Sequence, residues 1–108
     1  MNKYEQAYKL ETIAGVTAFL NDYHKLAEAR FYANDLYISD MLIDFDIACK
    51  HALTDRQRQV IYLSFVKDMR QVDVAKFLNL SQQTIQEHTA KAIKNLASYH
   101  LILKARGD

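Results

Sequence analysis

Three glutamines and one glutamate lie close together at Gln82, Gln83, Gln86 and Glu87. A glutamine amide can form two hydrogen bonds with adenine, and a glutamate can accept one from cytosine, so this group could read bases in a DNA major groove. Residues three and four apart share a helical face, and Ile85 lies between these positions. A helix that buries Ile85 would therefore expose all four polar side chains.

Basic residues surround this group without entering it. Phosphate contacts hold a protein on DNA without reading its sequence, and the candidates for them are Arg70, Lys76, Ser81, Lys91 and Lys94. Residues 1–53 carry five basic and eight acidic side chains, a balance of −3, whereas residues 54–108 carry nine and five, a balance of +4. Double-stranded DNA, as a polyanion, is therefore expected to meet the second half of the chain.

The elements that must position these groups follow from the spacing between Gln71 and Ile85. If Gln71 opens a helix-turn-helix, Asn79 occupies its turn, where asparagine tolerates a left-handed backbone better than most residues. Ser81 can then cap the second helix. The positions that two steeply crossing helices must bury are all apolar: Val74, Ala75, Leu78, Leu80 and Ile85.

A further helix is predicted before this pair. Thr54 and Gln57 have the spacing of a capping box, in which each side chain binds a backbone amide of the first turn. The apolar set of this helix is Val60, Ile61, Leu63, Phe65 and Val66. Residues 67–69 are expected to link it to the next helix.

The first half of the chain predicts three more amphipathic helices, over about 3–20, from Asn21 or Asp22 to about Leu36, and from a Ser39 cap onward. The apolar set of the third is Met41, Leu42, Phe45, Ile47 and Ala48.

The chain has no proline and only two glycines, so the expected fold is all-α. The predicted domains are an acidic helical lobe over 1–52, for partner docking or dimerisation, and a helix-turn-helix domain over 53–108. The aromatic side chains of the lobe are expected in its core, and its tyrosines could alternatively form a docking surface.

Catalytic and metal-binding patterns are weak. His24 and Glu28 share a helical face, but Cys49 and His51 do not, and the sequence has neither a metal-ligand spacing nor a phosphate-binding glycine loop. We expect no enzyme, cofactor or metal site. No apolar run approaches the roughly 20 residues of a membrane span, and a single cysteine excludes an internal disulfide framework, which favours a cytoplasmic protein.

From Leu53 to about Tyr99, "LTDRQRQVIYLSFVKDMRQVDVAKFLNLSQQTIQEHTAKAIKNLASY" resembles region four of the bacterial sigma factors, with "AKAIKNL" as its most specific part. The resemblance implies a domain that reads the promoter element near position −35 and packs on the flap of the RNA polymerase β subunit. By the same resemblance, Gln82, Gln83, Gln86 and Glu87 fall at the promoter-reading positions, and Ile61 and Phe65 contribute to the flap contact.

The departures from this family are also informative. The pattern of the promoter-melting region is absent before Leu53, so the chain is not expected to open DNA alone, and Gln82 stands where arginine is frequent. "MLIDFD" at 41–46 is similar to a segment of small sigma-like regulators of phages and mobile elements.

Two alternatives stay open. "TIQEH", with His88, resembles the LuxR-type helix-turn-helix, whose members bind palindromic DNA as dimers. The dimer face would then come from Leu96, Tyr99, Leu101, Ile102 and Leu103. The other alternative is an anti-sigma factor or adaptor that does not bind DNA.

Overall fold

The computed structural model describes residues 8–33 and 36–107, apart from the side chains of residues 31–33. Within this part the chain forms helices and no strand, which confirms the all-α prediction. The helices are α1 (Ile13–Asn21), α2 (Tyr23–Ala33), α3 (Leu36–Ala52), α4 (Asp55–Ile61, continued by a π turn at Tyr62–Val66), α5 (Gln71–Leu78) and α6 (Gln82–Ala105). None of these helices has both the length and the apolar composition that a membrane crossing requires.

The first helix begins later than the sequence suggests. Its predicted start near residue 3 lies outside the described residues, and residues 8–12 precede the helix instead of belonging to it. Thr12 caps α1, because its hydroxyl accepts from the Gly15 amide at 3.0 Å and donates to the Lys9 carbonyl at 2.7 Å. A side chain at position 15 would collide with the Lys9 backbone, so glycine permits this close approach.

The structure corrects two details of the sequence analysis in α3, whereas α2 begins directly after Asp22 as expected. The Asp22 carboxylate accepts a hydrogen bond from the Tyr8 hydroxyl at 2.7 Å. Ser39 does not cap α3, because this helix already begins at Leu36 and buries Ile38 in its first turn. Ile47 is 43% exposed and lies outside the buried face of α3.

Aromatic residues form the centre of the N-terminal helices. Phe19 is fully buried, and its ring lies 4.9 Å from that of Phe45 and 6.1 Å from that of Tyr23, measured between ring centroids. Tyr8 packs edge-on against Phe19 at 5.6 Å. These aromatic side chains are therefore core residues, as predicted for the lobe.

The capping box at the start of α4 is confirmed. The Thr54 hydroxyl accepts from the Gln57 amide at 3.2 Å, and Gln57 Oε1 accepts from the Thr54 amide at 3.1 Å. At its other end the helix widens into a π turn, in which the Lys67 amide donates to the Tyr62 carbonyl at 2.9 Å. Asp68, with φ 55°, then turns the chain toward α5, so the predicted link at 67–69 is also confirmed.

Two hydrophobic clusters hold the fold, and α4 and α6 belong to both. Val60 and Ile85 lie in the cluster of the helix-turn-helix, whereas Ile61 and Leu96 lie in the cluster formed with α1, α2 and α3. The N-terminal helices therefore pack directly on the recognition helix. A functional division between residues 1–52 and 53–108 stays a prediction, since the two segments share a core.

Candidate nucleic-acid interface

The apolar residues that the sequence predicts to be buried pack together where α5 crosses α6. Val74 and Ile85 are fully buried, Ala75 is nearly so, and Leu78 and Leu80 pack against them. Val60 of α4 completes this cluster. Because α6 is supported by two other helices, its outward face at the first two turns has a fixed direction.

The turn between the two helices has the backbone that the sequence predicts. Asn79 adopts φ 57° and ψ 46°, in the left-handed region, and the Leu80 amide donates to the Ala75 carbonyl at 2.9 Å. The Ser81 hydroxyl accepts from the Thr84 amide at 3.1 Å, which caps α6. A second bond of 2.8 Å joins the hydroxyls of Ser81 and Thr84, so Thr84 also shapes the start of the helix.

The four candidate base-reading side chains are all exposed on the first two turns of α6. They are Gln82, Gln83, Gln86 and Glu87. Two of their hydrogen bonds stay within the protein: Gln83 Nε2 lies 3.4 Å from Glu87 Oε1, and Gln86 Nε2 donates to Gln71 Oε1 at 3.2 Å. Gln71 was not among the predicted site residues, because the spacing assigns it only the first position of α5.

The candidate phosphate-binding residues differ in their surroundings. Lys76, Lys91 and Lys94 are exposed, whereas Arg70 Nε donates to Asp73 Oδ2 at 3.0 Å and so already has a carboxylate partner. Exposed ion pairs of this kind contribute little to stability, so Arg70 can exchange its partner for a phosphate at small cost. The Ser81 hydroxyl is exposed, but it is engaged in the cap of α6.

Two of the lysines continue the face of the candidate base-reading residues along α6. Gln83, Glu87, Lys91 and Lys94 follow one another at intervals of four, four and three residues, so they lie on one side of the helix. At ~1.5 Å of rise per residue, this face spans on the order of 16 Å between Gln83 and Lys94. A helix whose polar tip enters the major groove would thus bring Lys91 and Lys94 toward the phosphate backbone.

A groove of about 570 Å³ lies beside α4, and none of the candidate base-reading or phosphate-binding residues lines it. Ile61 is 2% exposed and contributes to the floor of this groove, so it cannot offer a protruding contact. Phe65 packs against the core of the N-terminal helices and does not line the groove. The rest of the lining comes from α2, α3, α4 and the π turn. Its apolar and aromatic residues are Tyr23, Phe45, Cys49, Tyr62 and Val66, and its polar or charged residues are Asp46, Lys50, Asp55, Arg58 and Gln59.

The C-terminal half of α6 is a continuous extension of the recognition helix, as the sequence suggests. The predicted dimer face is reduced, however, because Leu96 is fully buried and Tyr99 stacks with His51 at 6.3 Å between ring centroids. Leu101 and Ile102 remain about half exposed. Lys104 Nζ reaches back to Glu11 Oε1 at 2.9 Å, which ties the end of α6 to the start of α1 and lowers the pKa of the Glu11 carboxyl.

No group of chemically reactive side chains competes with this interface in the described residues. Burial raises the pKa of the Cys49 thiol to about 12, so the thiolate needed of a nucleophile is scarce at neutral pH. His24 and Glu28 are both exposed on α2. Over residues 8–33 and 36–107, histidine, cysteine, aspartate and glutamate side chains form no cluster of three or more that could hold a metal ion.

Comparison with known protein families finds a match in the same part of the chain. Residues 51–98 match the family model of sigma-70, region 4, which covers a little under half of the protein and coincides with the segment whose sequence resembles it. This part of the chain is therefore a sigma region 4-like helix-turn-helix. No curated protein and no solved structure matches the chain.

The match also indicates the general role of this segment. Sigma-70 region 4 is a DNA-binding regulatory domain, not an enzymatic one, and such domains bind DNA and RNA polymerase. It follows that the helix-turn-helix has a DNA-binding, sigma-like role in transcription.

Proposed function

We propose that the protein is a sequence-specific transcription regulator that acts at promoters together with RNA polymerase. The observation that carries this proposal is the exposed, polar and nearly uncharged face at Gln82, Gln83, Gln86 and Glu87, held on a buried helix-turn-helix core. Such a face suits hydrogen bonding to base edges, while the lysines farther along α6 suit phosphates.

The regulator needs a second contact besides its recognition helix. A single DNA-binding module buries only roughly 600–1,000 Å² of protein surface, which limits its affinity. RNA polymerase supplies this contact in our proposal, through the flap of its β subunit. The groove beside α4 suits it, because apolar and aromatic side chains lie next to charged ones in its lining, and the exposed Tyr62 offers an aromatic contact.

The assignment of the flap contact differs in one respect from the sequence-based expectation. Ile61 belongs to it as part of the groove floor, but Phe65 supports the N-terminal helices and does not face the groove. Tyr62 and Val66 take its place in the proposed contact, since both line the groove. The N-terminal helices contribute Tyr23 and Phe45 to the same groove, which gives the lobe a part in docking the partner.

The direct test is whether the purified protein retains RNA polymerase from an extract of its source organism after nuclease treatment. Promoter footprinting with and without polymerase then follows. We expect retention by a monomer and a footprint that requires polymerase. A Val66→Glu variant should lose retention, whereas Leu101→Glu, also an apolar-to-acidic change, serves as the control and should keep it.

A dimeric regulator on a palindromic operator is the second candidate. It is favoured by the exposure of Leu101 and Ile102 at the end of a long recognition helix. A dimer mass in solution, lost in Leu101→Glu, together with no retention of polymerase, would select this candidate. An adaptor that does not bind DNA would retain a partner protein but give no footprint under any condition.

A further inference from the structure

The base-reading face contains one hydrogen bond that crosses from one helix of the helix-turn-helix to the other. Gln86 Nε2, on the second turn of α6, donates to Gln71 Oε1, on the first turn of α5, at 3.2 Å. The two residues are fifteen positions apart in the sequence, so the bond depends on how the helices cross. Gln71 is itself half-buried at the edge of the face, whereas Gln86 is exposed.

This bond has a chemical consequence for Gln86. A glutamine amide offers an oxygen acceptor and two N–H donors, and free rotation would let it present either edge to a ligand. The Gln71 oxygen accepts one N–H, which fixes the nitrogen side of the amide toward α5. One donor and one acceptor remain, which is the combination that a bidentate pair with adenine uses.

We propose that Gln71 is a positioning residue that sets the base specificity of Gln86 by holding its amide in one orientation, with adenine as the preferred base. This inference rests on the proposed function, since it requires that Gln86 meets a base edge. Gln71 acts through Gln86 and needs no base contact of its own. Its energetic contribution comes from preorganisation, because the rotational freedom of Gln86 is reduced before DNA binds.

The test is selection from a randomised double-stranded DNA library by the full-length protein in complex with RNA polymerase of the source organism. Affinities for the selected site and its single-base-pair variants follow. In Gln86→Ala, discrimination at one base pair should fall by about fivefold to a hundredfold, the range for a lost bidentate pair. In Gln71→Ala, discrimination should fall at the same base pair by about two- to tenfold, the range of a single net hydrogen bond.

Two more variants separate positioning from a general structural role. Gln71→Glu keeps the acceptor oxygen, so it should retain the base preference while its added negative charge weakens binding to every sequence. The double variant Gln71→Ala with Gln86→Ala should discriminate no worse than Gln86→Ala alone. Asn21→Ala, which removes an exposed amide on α1, is the matched control and should leave the base preference unchanged. Thermal melts verify that each variant is folded.

The outcomes separate failure of this inference from failure of the proposed function. If the wild-type protein selects no site, or Gln86→Ala changes no base preference, base reading by Gln86 is absent and the inference falls with it. If Gln86→Ala relaxes one base pair while Gln71→Ala changes nothing, acts at another base pair or adds to the loss in the double variant, only the positioning role is overturned.

Discussion

Asn95 Nδ2 donates a hydrogen bond of 3.2 Å to Gln57 Oε1, the same oxygen that accepts from the Thr54 amide in the capping box of α4. One buried amide therefore holds the start of α4 and the middle of the recognition helix together. Gln57 is only 7% exposed. A polar residue buried this deeply is stabilising only while its partners are satisfied, which makes this contact a sensitive point of the domain.

Replacing Gln57 with alanine should lower the free energy of unfolding by about 1–2 kcal/mol, since it removes the return bond of the capping box, from the Thr54 amide to Gln57 Oε1, and leaves the Asn95 amide without this partner. Asn95→Ala should cost less, on the order of 0.5–1 kcal/mol, because the cap itself survives. Urea unfolding followed by circular dichroism measures both. Equal losses in the two variants would mean that the bond to α6, and not the cap, carries the contribution.

Replacing Gln83 with alanine should cost on the order of 1–3 kcal/mol at the cognate site and relax the preference at one base pair. Binding to unrelated DNA should hardly change, because this side chain is uncharged. Affinities for the cognate site and for its shuffled sequence provide the measurement. A similar loss on both sequences would remove Gln83 from the base-reading set.

Replacing Lys91 with alanine should weaken binding to every DNA sequence alike, since the lysine lies beyond the polar tip on the same face of α6. The slope of log affinity against log salt should fall by about one, which is the effect of one lost phosphate contact. Titrations at several salt concentrations test this expectation. An unchanged slope would show that Lys91 does not neutralise a phosphate.

Substitutions at position 79 test the left-handed turn between α5 and α6. Asn79→Gly should leave stability nearly unchanged. Asn79→Ala should lower the free energy of unfolding by about 1 kcal/mol, because the left-handed backbone at φ 57° is sterically strained for alanine. Asn79 is exposed, so neither change removes a packed side chain. Thermal melts of the two variants provide the comparison, and equal stabilities would mean that the turn relaxes to another backbone conformation.

The thiol of Cys49 should react slowly with iodoacetamide in the folded protein and rapidly in urea. Burial raises its pKa from 9.0 to about 12, so the unfolded chain forms the thiolate at lower pH than the folded chain does. The contribution of the protonated, buried Cys49 thiol to the free energy of unfolding is therefore fully present below pH 9 and is lost progressively as the pH rises toward 12. Fast alkylation of the folded protein at pH 8 would contradict this environment for Cys49.

Local sequence signals predicted the C-terminal part well. The Thr54 cap, the bounds of α5, the left-handed Asn79 and the Ser81 cap each depend on a few neighbouring residues, and all agree with the structure. The base-reading and phosphate-binding roles stay predictions, although the side chains of both sets are exposed as expected.

The same signals failed where a distant contact decided the outcome. Serine is a common N-cap residue, so Ser39 was expected to cap α3, yet this helix starts at Leu36 and buries Ile38 against the other helices. Phe65, which the family resemblance assigns to the flap contact, packs against the core of the N-terminal helices, and its part in that contact stays a prediction. Leu96 and Tyr99 were candidates for a dimer face, but Leu96 is buried in the core and Tyr99 stacks on His51 of α3.

The helical class, the helix-turn-helix spacing and the polar tip of α6 can be read from the chain alone, because each follows from periodicity and capping within about twenty residues. The packing of the helices adds three features: α4 and α6 belong to two hydrophobic clusters, Asn95 joins the Gln57 cap, and Gln71 meets Gln86. Hydrogen bonds within a helix or cap depend on neighbours in the chain, whereas a contact between helices forms only once those helices have packed against a third.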